Sequence, residues 1–331
     1  MIHIALMQQN VIHDWEKGNK ERISNLVNTN LKLNRFKLVN NEADADLIVL
    51  LESCIFKTQK HIKDFENILY LNKGNKRLCT LNYEDSPPGF LPGLYSSLEV
   101  FKFDPAIHIS WPHLVIHNEY IDEARLDEQS QTTTLFTFSG ACSSPIRRKI
   151  FDLYKNHSHK YKIKEVKKWY NHDESEKKSY IEDIRQSKFV LCPKGIASYS
   201  HRILETLALG KVPVIIADDW VPFSIPEKEY FVKVKENSVP SLIQILEQKE
   251  NEYEKLRINA ISVYNKYFDP RLCYSVAFNQ LTDLYTNQLL KITPGYIRNR
   301  WNSRKFWKNN RWCIEDRVLR KIDKMLKSFN G

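Results

Sequence analysis

The chain contains no apolar run of eighteen residues, no cysteine pair at CxxC spacing, and no internal repeat or low-complexity tract. Without the first there is no conventional membrane-spanning helix. Without the second there is no zinc ribbon, thioredoxin-type motif or disulfide scaffold. The six cysteines, Cys54, Cys79, Cys142, Cys192, Cys273 and Cys313, lie far apart, several of them inside apolar runs where a thiol behaves as a small hydrophobe. The start, MIHIALMQQN, lacks the length and the basic residues of a secretion signal. These absences lead us to expect a reducing, cytoplasmic compartment.

What is present is enough chain, 331 residues, for two domains of ordinary size, each with its own core. Charge is spread very unevenly. Of the net +10, residues 291–331 carry +9, with twelve Lys/Arg against three Asp/Glu, so the rest of the chain sums to +1. Trp301, Trp307 and Trp312 interleave with those basic residues. Tryptophan sits at the headgroup level of a bilayer and each Lys/Arg adds about 1 kcal/mol near an anionic surface. The tail therefore reads as a contact with the inner face of a membrane or as a terminal helix packed on the body. No nucleic-acid motif accompanies it, and nucleic acid is not expected as a partner.

Strands and helices alternate with short connections, which predicts parallel sheets. The expected strands of a first domain, residues 1–130, are 2–8, 46–52 and 76–83, with helices over 17–34 and 58–71. A polar segment without periodicity, DEQSQTTT at 127–134, reads as a linker. A second domain, 131–290, restarts with a strand at 135–139, a helix from Pro145, a strand at 161–166 and a helix at 176–187. Long helical patterns follow over 239–267 and 271–290.

The most informative stretch runs from Ser187 to Phe223, SKFVLCPKGIASYSHRILETLALGKVPVIIADDWVPF. It predicts a buried strand (189–192), a glycine loop, a short helix (200–209) and a second buried strand (212–217). Ile203, Leu204, Leu207 and Ala208 form the apolar helix face, Arg202 and Glu205 share another, and Gly210 ends the helix. The Arg/Glu pair thus follows a loop at the carboxyl edge of a parallel strand, where α/β sheets bind ligands and helix N-termini favour phosphate. An isolated intrahelical salt bridge is the structural alternative.

The pattern formed by Pro193, Gly195, Ser200, Arg202, Glu205, Gly210, Pro213, Val214, Ile215, Asp218, Pro222 and Phe223 resembles the donor-sugar domain of exostosin-like glycosyltransferases. The resemblance extends over about residues 136–223, with Lys211 where family members often have Cys. It implies a GT-B-like α/β fold, two doubly wound Rossmann-like domains facing a central cleft, with Arg202 on the diphosphate and Glu205 on the ribose of a nucleotide sugar. A second segment, FSGACSSPIRRKIF (138–151), is similar to the family's first donor-domain strand, Gly loop and Arg. Gly140 there would let a phosphate approach the backbone, Ser143 or Ser144 can cap the next helix, and Arg147 or Arg148 could neutralise the ligand.

The first domain must supply any general base. Asp85 and Glu84, in the loop after the 76–83 strand, are the candidates, with His13 and Glu52 in reserve. Metal binding is not expected. Asp44-x-Asp46 precedes a buried strand instead of following one, Asp218 and Asp219 are adjacent and diverge, and no His/Cys cluster has zinc spacing. The expected function is sugar transfer from a nucleotide-diphosphate donor to a glycan or lipid-linked glycan, metal-independent and inverting, without a cofactor. The competing expectation is a non-catalytic nucleotide-sugar or phospholigand-binding module recruited through its basic tail.

Overall fold

The computed structural model describes residues 1–8, 18–28, 34–52, 77–89, 91–113, 120–126, 132–156, 158–167, 173–287, 295, 299–300 and 302–304. It divides into two compact units, one of Met1–Asn25, Lys32–Ile109 and Ala277–Gly331, the other of Leu26–Leu31 and Ser110–Val276. The division thus falls at Ser110, ahead of the polar segment expected as a linker. The end of that segment belongs to the second unit, because the Thr133 and Thr134 amides donate to Gln186 O at 2.8 and 3.0 Å. His13, the helix expected over 58–71 and most of the basic tail lie outside the described residues.

The first unit is built on a six-stranded sheet in the order β2-β1-β3-β4-β5-β6. Its strands are β1 (Ile2–Gln8), β2 (Phe36–Val39), β3 (Leu47–Glu52), β4 (Arg77–Asn82), β5 (Gly93–Tyr95) and β6 (His108–Ser110). The ladders from β2 through β5 are parallel. Every residue of β3 is buried, as a continuous apolar run in a parallel sheet requires. Helix α1 (Asn19–Asn28) lies in this unit as far as Asn25 and buries Ile23. Strands β2, β5 and β6 add to the expected set; each is three or four residues long, too short to show a period. At Gly93 a Cβ would come 2.1 Å from Thr80 O, so β5 can pair with β4 only through a glycine. Asp46, at the amino end of β3, accepts from the His3 amide at 2.8 Å, a structural use of the Asp-x-Asp sequence.

The second unit carries a five-stranded parallel sheet, β11-β10-β9-β7-β8. Its strands are β7 (Thr134–Gly140), β8 (Tyr161–Glu165), β9 (Ser187–Pro193), β10 (Val212–Ile216) and β11 (Val232–Lys233). The helices that build the site are α3 (Pro145–Leu153), α4 (Glu174–Arg185) and α5 (Arg202–Ala208); α2 (Tyr120–Leu126) precedes them. Phe136, Phe138, Phe189 and Leu191 form one core with Ile146, Ile150 and Phe151 of α3 and with Leu242 and Leu246 of α6 (Leu242–Lys249).

The helical pattern expected over 239–267 is interrupted. Pro240 lies in a 3-10 turn, α6 ends in a second such turn at Glu250–Glu252, and α7 (Tyr253–Val263) closes in a π turn at Tyr264–Phe268. A Pro cannot donate to a regular helical ladder, which accounts for the first interruption. Helix α8 (Cys273–Asn287) follows. No helix among the described residues is long and apolar enough to cross a membrane. Two Rossmann-like parallel α/β units in one chain are the fold class expected of a GT-B-like protein.

Candidate functional site

The carboxyl ends of β7, β9 and β10 open into loops 141–144, 194–201 and 217–220, and the site is built there within the second unit. Helix α3 begins immediately beyond β7. Ser144 is its N-cap, with Oγ accepting from the Arg147 amide and donating to Lys194 O at 2.7 Å, and Pro145 occupies the first turn. This cap ties the first loop to the second and turns Arg147 toward β9. Its Nη1 donates to Ala141 O at 3.2 Å and its Nη2 to Pro193 O at 3.3 Å.

Arg202 comes to the same place from the other side, at the start of α5. Its Nη2 donates to Ser139 O at 2.6 Å and its Nη1 to Ser200 Oγ at 3.3 Å. Both guanidiniums lie over the Phe138 ring, Arg202 at 4.9 Å and Arg147 at 5.7 Å from its centroid. Such cation–π contacts are worth about 0.5–2 kcal/mol each.

Two glycines make the approach possible. A Cβ at Gly140 would meet Arg202 Nη2 at 2.9 Å, and one at Gly195 would meet Ser143 Oγ at 3.1 Å and Arg147 Nη2 at 3.2 Å. Gly210, at φ +61°, ends α5 in the left-handed conformation, with its amide on Leu207 O and that of Lys211 on Thr206 O. Gly140, Gly195, Ser200, Arg147, Arg202 and Glu205 are thereby brought together, whereas Arg148 is exposed and pairs with Glu165 at 3.5 Å.

The electrostatics separate these two cations from their neighbour. Lys194 is neutralised twice, by Asp219 at 3.3 Å and Glu236 at 2.8 Å. Asp218 turns the other way and accepts from the Glu236 amide at 3.2 Å. Arg147 and Arg202 make no ion pair with any carboxylate among the described residues, and each keeps a buried Nε–H without a partner. Burial, and then the charge of Arg202, push the Arg147 pKa down to about 10. Burial also works against the Arg202 charge, but the surrounding Tyr180, Cys192 and Glu205 outweigh it and its pKa is raised. Two half-buried, mutually repelling guanidiniums held by carbonyl oxygens are an arrangement chemically suited to an anion with more than one charge.

Glu205 does not pair with Arg202. Its Oε2 accepts from the Tyr180 hydroxyl, carried on α4. Sequence reasoning missed Tyr180. The available signal is an aromatic residue in the otherwise charged helix ESEKKSYIEDIR, whose start is set by Asp173 and Glu176 in a capping box.

In the first unit, Asn82 ends β4 and organises the loop that carries the candidate bases. Its Nδ2 donates to Glu52 Oε2 and its Oδ1 accepts from the Glu84 amide at 2.9 Å. Glu84 is buried and Asp85 exposed. Burial raises the Glu52 pKa to about 7 against the opposing hydrogen bonds of Asn82 and Thr80. From the tail, Arg300 Nη2 donates to Gly89 O at 2.7 Å.

Residues 95–249 match the exostosin GT47 domain. A rice protein (Oryza sativa subsp. japonica) named probable glucuronosyltransferase GUT1 is 49% identical over 71 residues, 20% of this chain and 17% of its own length. The Arabidopsis thaliana probable beta-1,4-xylosyltransferase IRX10 is 48% identical over the same length, with the same coverage. The match thus spans under a fifth of these relatives. Among solved structures, a glycosyltransferase from Rickettsia africae aligns over 86% of this chain and 99% of its own at 10% identity and a TM-score of 0.47. An α1,3-fucosyltransferase crystallised with GDP-fucose aligns over 87% and 91% at 14% identity and a TM-score of 0.42.

Glu52 gives the described geometry a pH-dependent consequence. Its folded pKa, about 7, lies above the ordinary carboxylate value, so the folded state holds a proton that the unfolded state has lost. Stability contributed by Glu52 is therefore complete below the unfolded value and falls away as pH rises to about 7. Glu52→Gln should leave the unfolding midpoint nearly unchanged at pH 5 and stabilise by on the order of 3 kcal/mol at pH 8, measured by denaturant titration at both values.

The match over 95–249, the glycine loops and the arginine-bearing edge of the second sheet converge, and over that stretch, under half of its length, the chain is similar to the exostosin-like glycosyltransferases.

Proposed function

We propose that the protein is a glycosyltransferase that moves a sugar from a nucleotide-diphosphate donor to a glycan or lipid-linked glycan acceptor. The observation that carries this reading is the pair Arg147 and Arg202, two guanidiniums over one aromatic ring that make no ion pair with a carboxylate among the described residues. The donor diphosphate lies against the pair, and Glu205 accepts from the ribose hydroxyls. As the bond from the anomeric carbon to the phosphate oxygen breaks, the electron pair leaves with the nucleoside diphosphate. The arginines stabilise the charge that develops there. They supply the positive charge that a divalent cation would otherwise bring, so the chemistry is proposed as metal-independent. The names of the relatives make glucuronosyl and xylosyl residues the first sugars to test.

Arg202→Ala should weaken donor use by about tenfold or more, the scale of a lost charge-assisted hydrogen bond, without loss of the fold. Nucleoside diphosphates should raise the apparent melting temperature of the wild type, since they bind only the native state. Wild-type donor use by Arg202→Ala would remove the assignment.

For an inverting transfer the acceptor hydroxyl loses its proton to a carboxylate as it attacks the anomeric carbon, and the 84–85 pair is proposed to provide it. Asp85 is the exposed member. Asp85→Asn or Glu84→Gln should lower turnover by about two to four orders of magnitude while nucleoside diphosphate binding stays unchanged. Unchanged turnover in both variants would move the base to another residue.

The basic tail, 291–331, is proposed to hold the protein on an anionic membrane surface at the cytoplasmic face. Arg300 is bonded to Gly89 and is best left intact. Reversing Arg304, Lys305 and Lys308 should reduce sedimentation with phosphatidylserine vesicles, more at low salt than at high. Equal sedimentation of both proteins, or of neither, would favour a tail packed on the body.

A further inference from the structure

Residues three apart on a helix are neighbours, so Arg202 and Glu205 on α5 have the spacing of an ordinary ion pair. Yet no such pair forms among the described residues: the guanidinium is held by Ser139 O and Ser200 Oγ, and the carboxylate by the Tyr180 hydroxyl. The Tyr180 ring also stands 5.8 Å from the Arg202 guanidinium, on a helix separate from both the strand and the loop that hold it. Tyr180 therefore touches the two ligand-facing groups at once.

We propose that Tyr180 is a positioning residue that keeps Glu205 off Arg202, so that the diphosphate and ribose contacts are available separately. This rests on the donor reading above. With Tyr180 in place, the Glu205 carboxylate is anchored toward α4 and the Arg147–Arg202 pair keeps its full charge. Without its hydroxyl, Glu205 can turn to Arg202 three residues before it, and a carboxylate there competes directly with phosphate. Tyr180 would thus govern phosphate affinity without contacting phosphate.

The test uses the full chain with three probes: UDP, its 2′,3′-dideoxy analogue and inorganic pyrophosphate, titrated calorimetrically, with GDP in parallel. Tyr180→Phe should bind pyrophosphate and UDP about tenfold more weakly than the wild type, the effect of an intramolecular carboxylate on a charged hydrogen bond. Tyr180→Phe/Glu205→Gln should recover pyrophosphate affinity, because glutamine carries no charge to set against Arg202. It should still fail to distinguish UDP from the dideoxy analogue, because the ribose contact has lost its carboxylate. A merely structural role for Tyr180 would make the double variant no better than the single one, and that result overturns the proposal. So does unchanged pyrophosphate binding by Tyr180→Phe in a protein whose wild type binds the nucleotides. Binding of none of the probes by the wild type overturns the donor reading itself, and this proposal with it. Melting curves of each variant report on folding, so that a collapsed protein is not read as weak binding.

Discussion

Holding two positive charges side by side in a half-buried place, without an ion-paired carboxylate among the described residues, is the constraint around which the second unit is arranged. Arg147 and Arg202 repel one another, and burial adds to the penalty. What keeps them in place is a set of neutral contacts: the carbonyls of Ala141, Pro193 and Ser139, the hydroxyl of Ser200 and the face of Phe138. Each comes from a loop or a strand end at the carboxyl edge of the sheet, where the backbone turns and its oxygens become available.

That constraint explains choices that otherwise look unrelated. Gly140 and Gly195 are small because a Cβ at either would press on a guanidinium. Ser144 caps α3 and also bonds to Lys194 O, which fixes the first loop against the second. The nearby Lys194 has two carboxylate partners, so its charge is used inside the protein, whereas the arginines are held by neutral groups. An uncompensated cation in such a setting is costly to stability and is understood most simply as part of an anion site.

The first unit obeys a different rule. Its carboxyl edge gathers acidic and amide groups, Glu52, Asn82 and Glu84, on strands that are otherwise apolar. Asn82 bonds in both directions, which gives the loop bearing Asp85 a defined start. Burial of Glu52 beside it favours the protonated acid, in contrast to the permanent charge maintained in the second unit.

The alternation of short apolar runs with amphipathic stretches determined two parallel α/β units, since a fully buried strand has no other way to be covered on both faces. Within 187–223 the sequence also determined the helix that presents Arg202 and Glu205, because the apolar positions assign the remaining face and Gly210 sets the end. Spacing along the chain could not choose between Arg147 and Arg148. Adjacent residues on a helix point in directions about 100° apart, and only the packing of α3 on the sheet decided which one faces the site. Nor could it tell whether Arg202 and Glu205 bond to each other or to other groups. The carboxylate's partner is Tyr180, 25 residues from Glu205, arriving on a different helix. Local patterns report which face of an element is apolar; which polar groups meet across elements is settled only when the sheet brings them together.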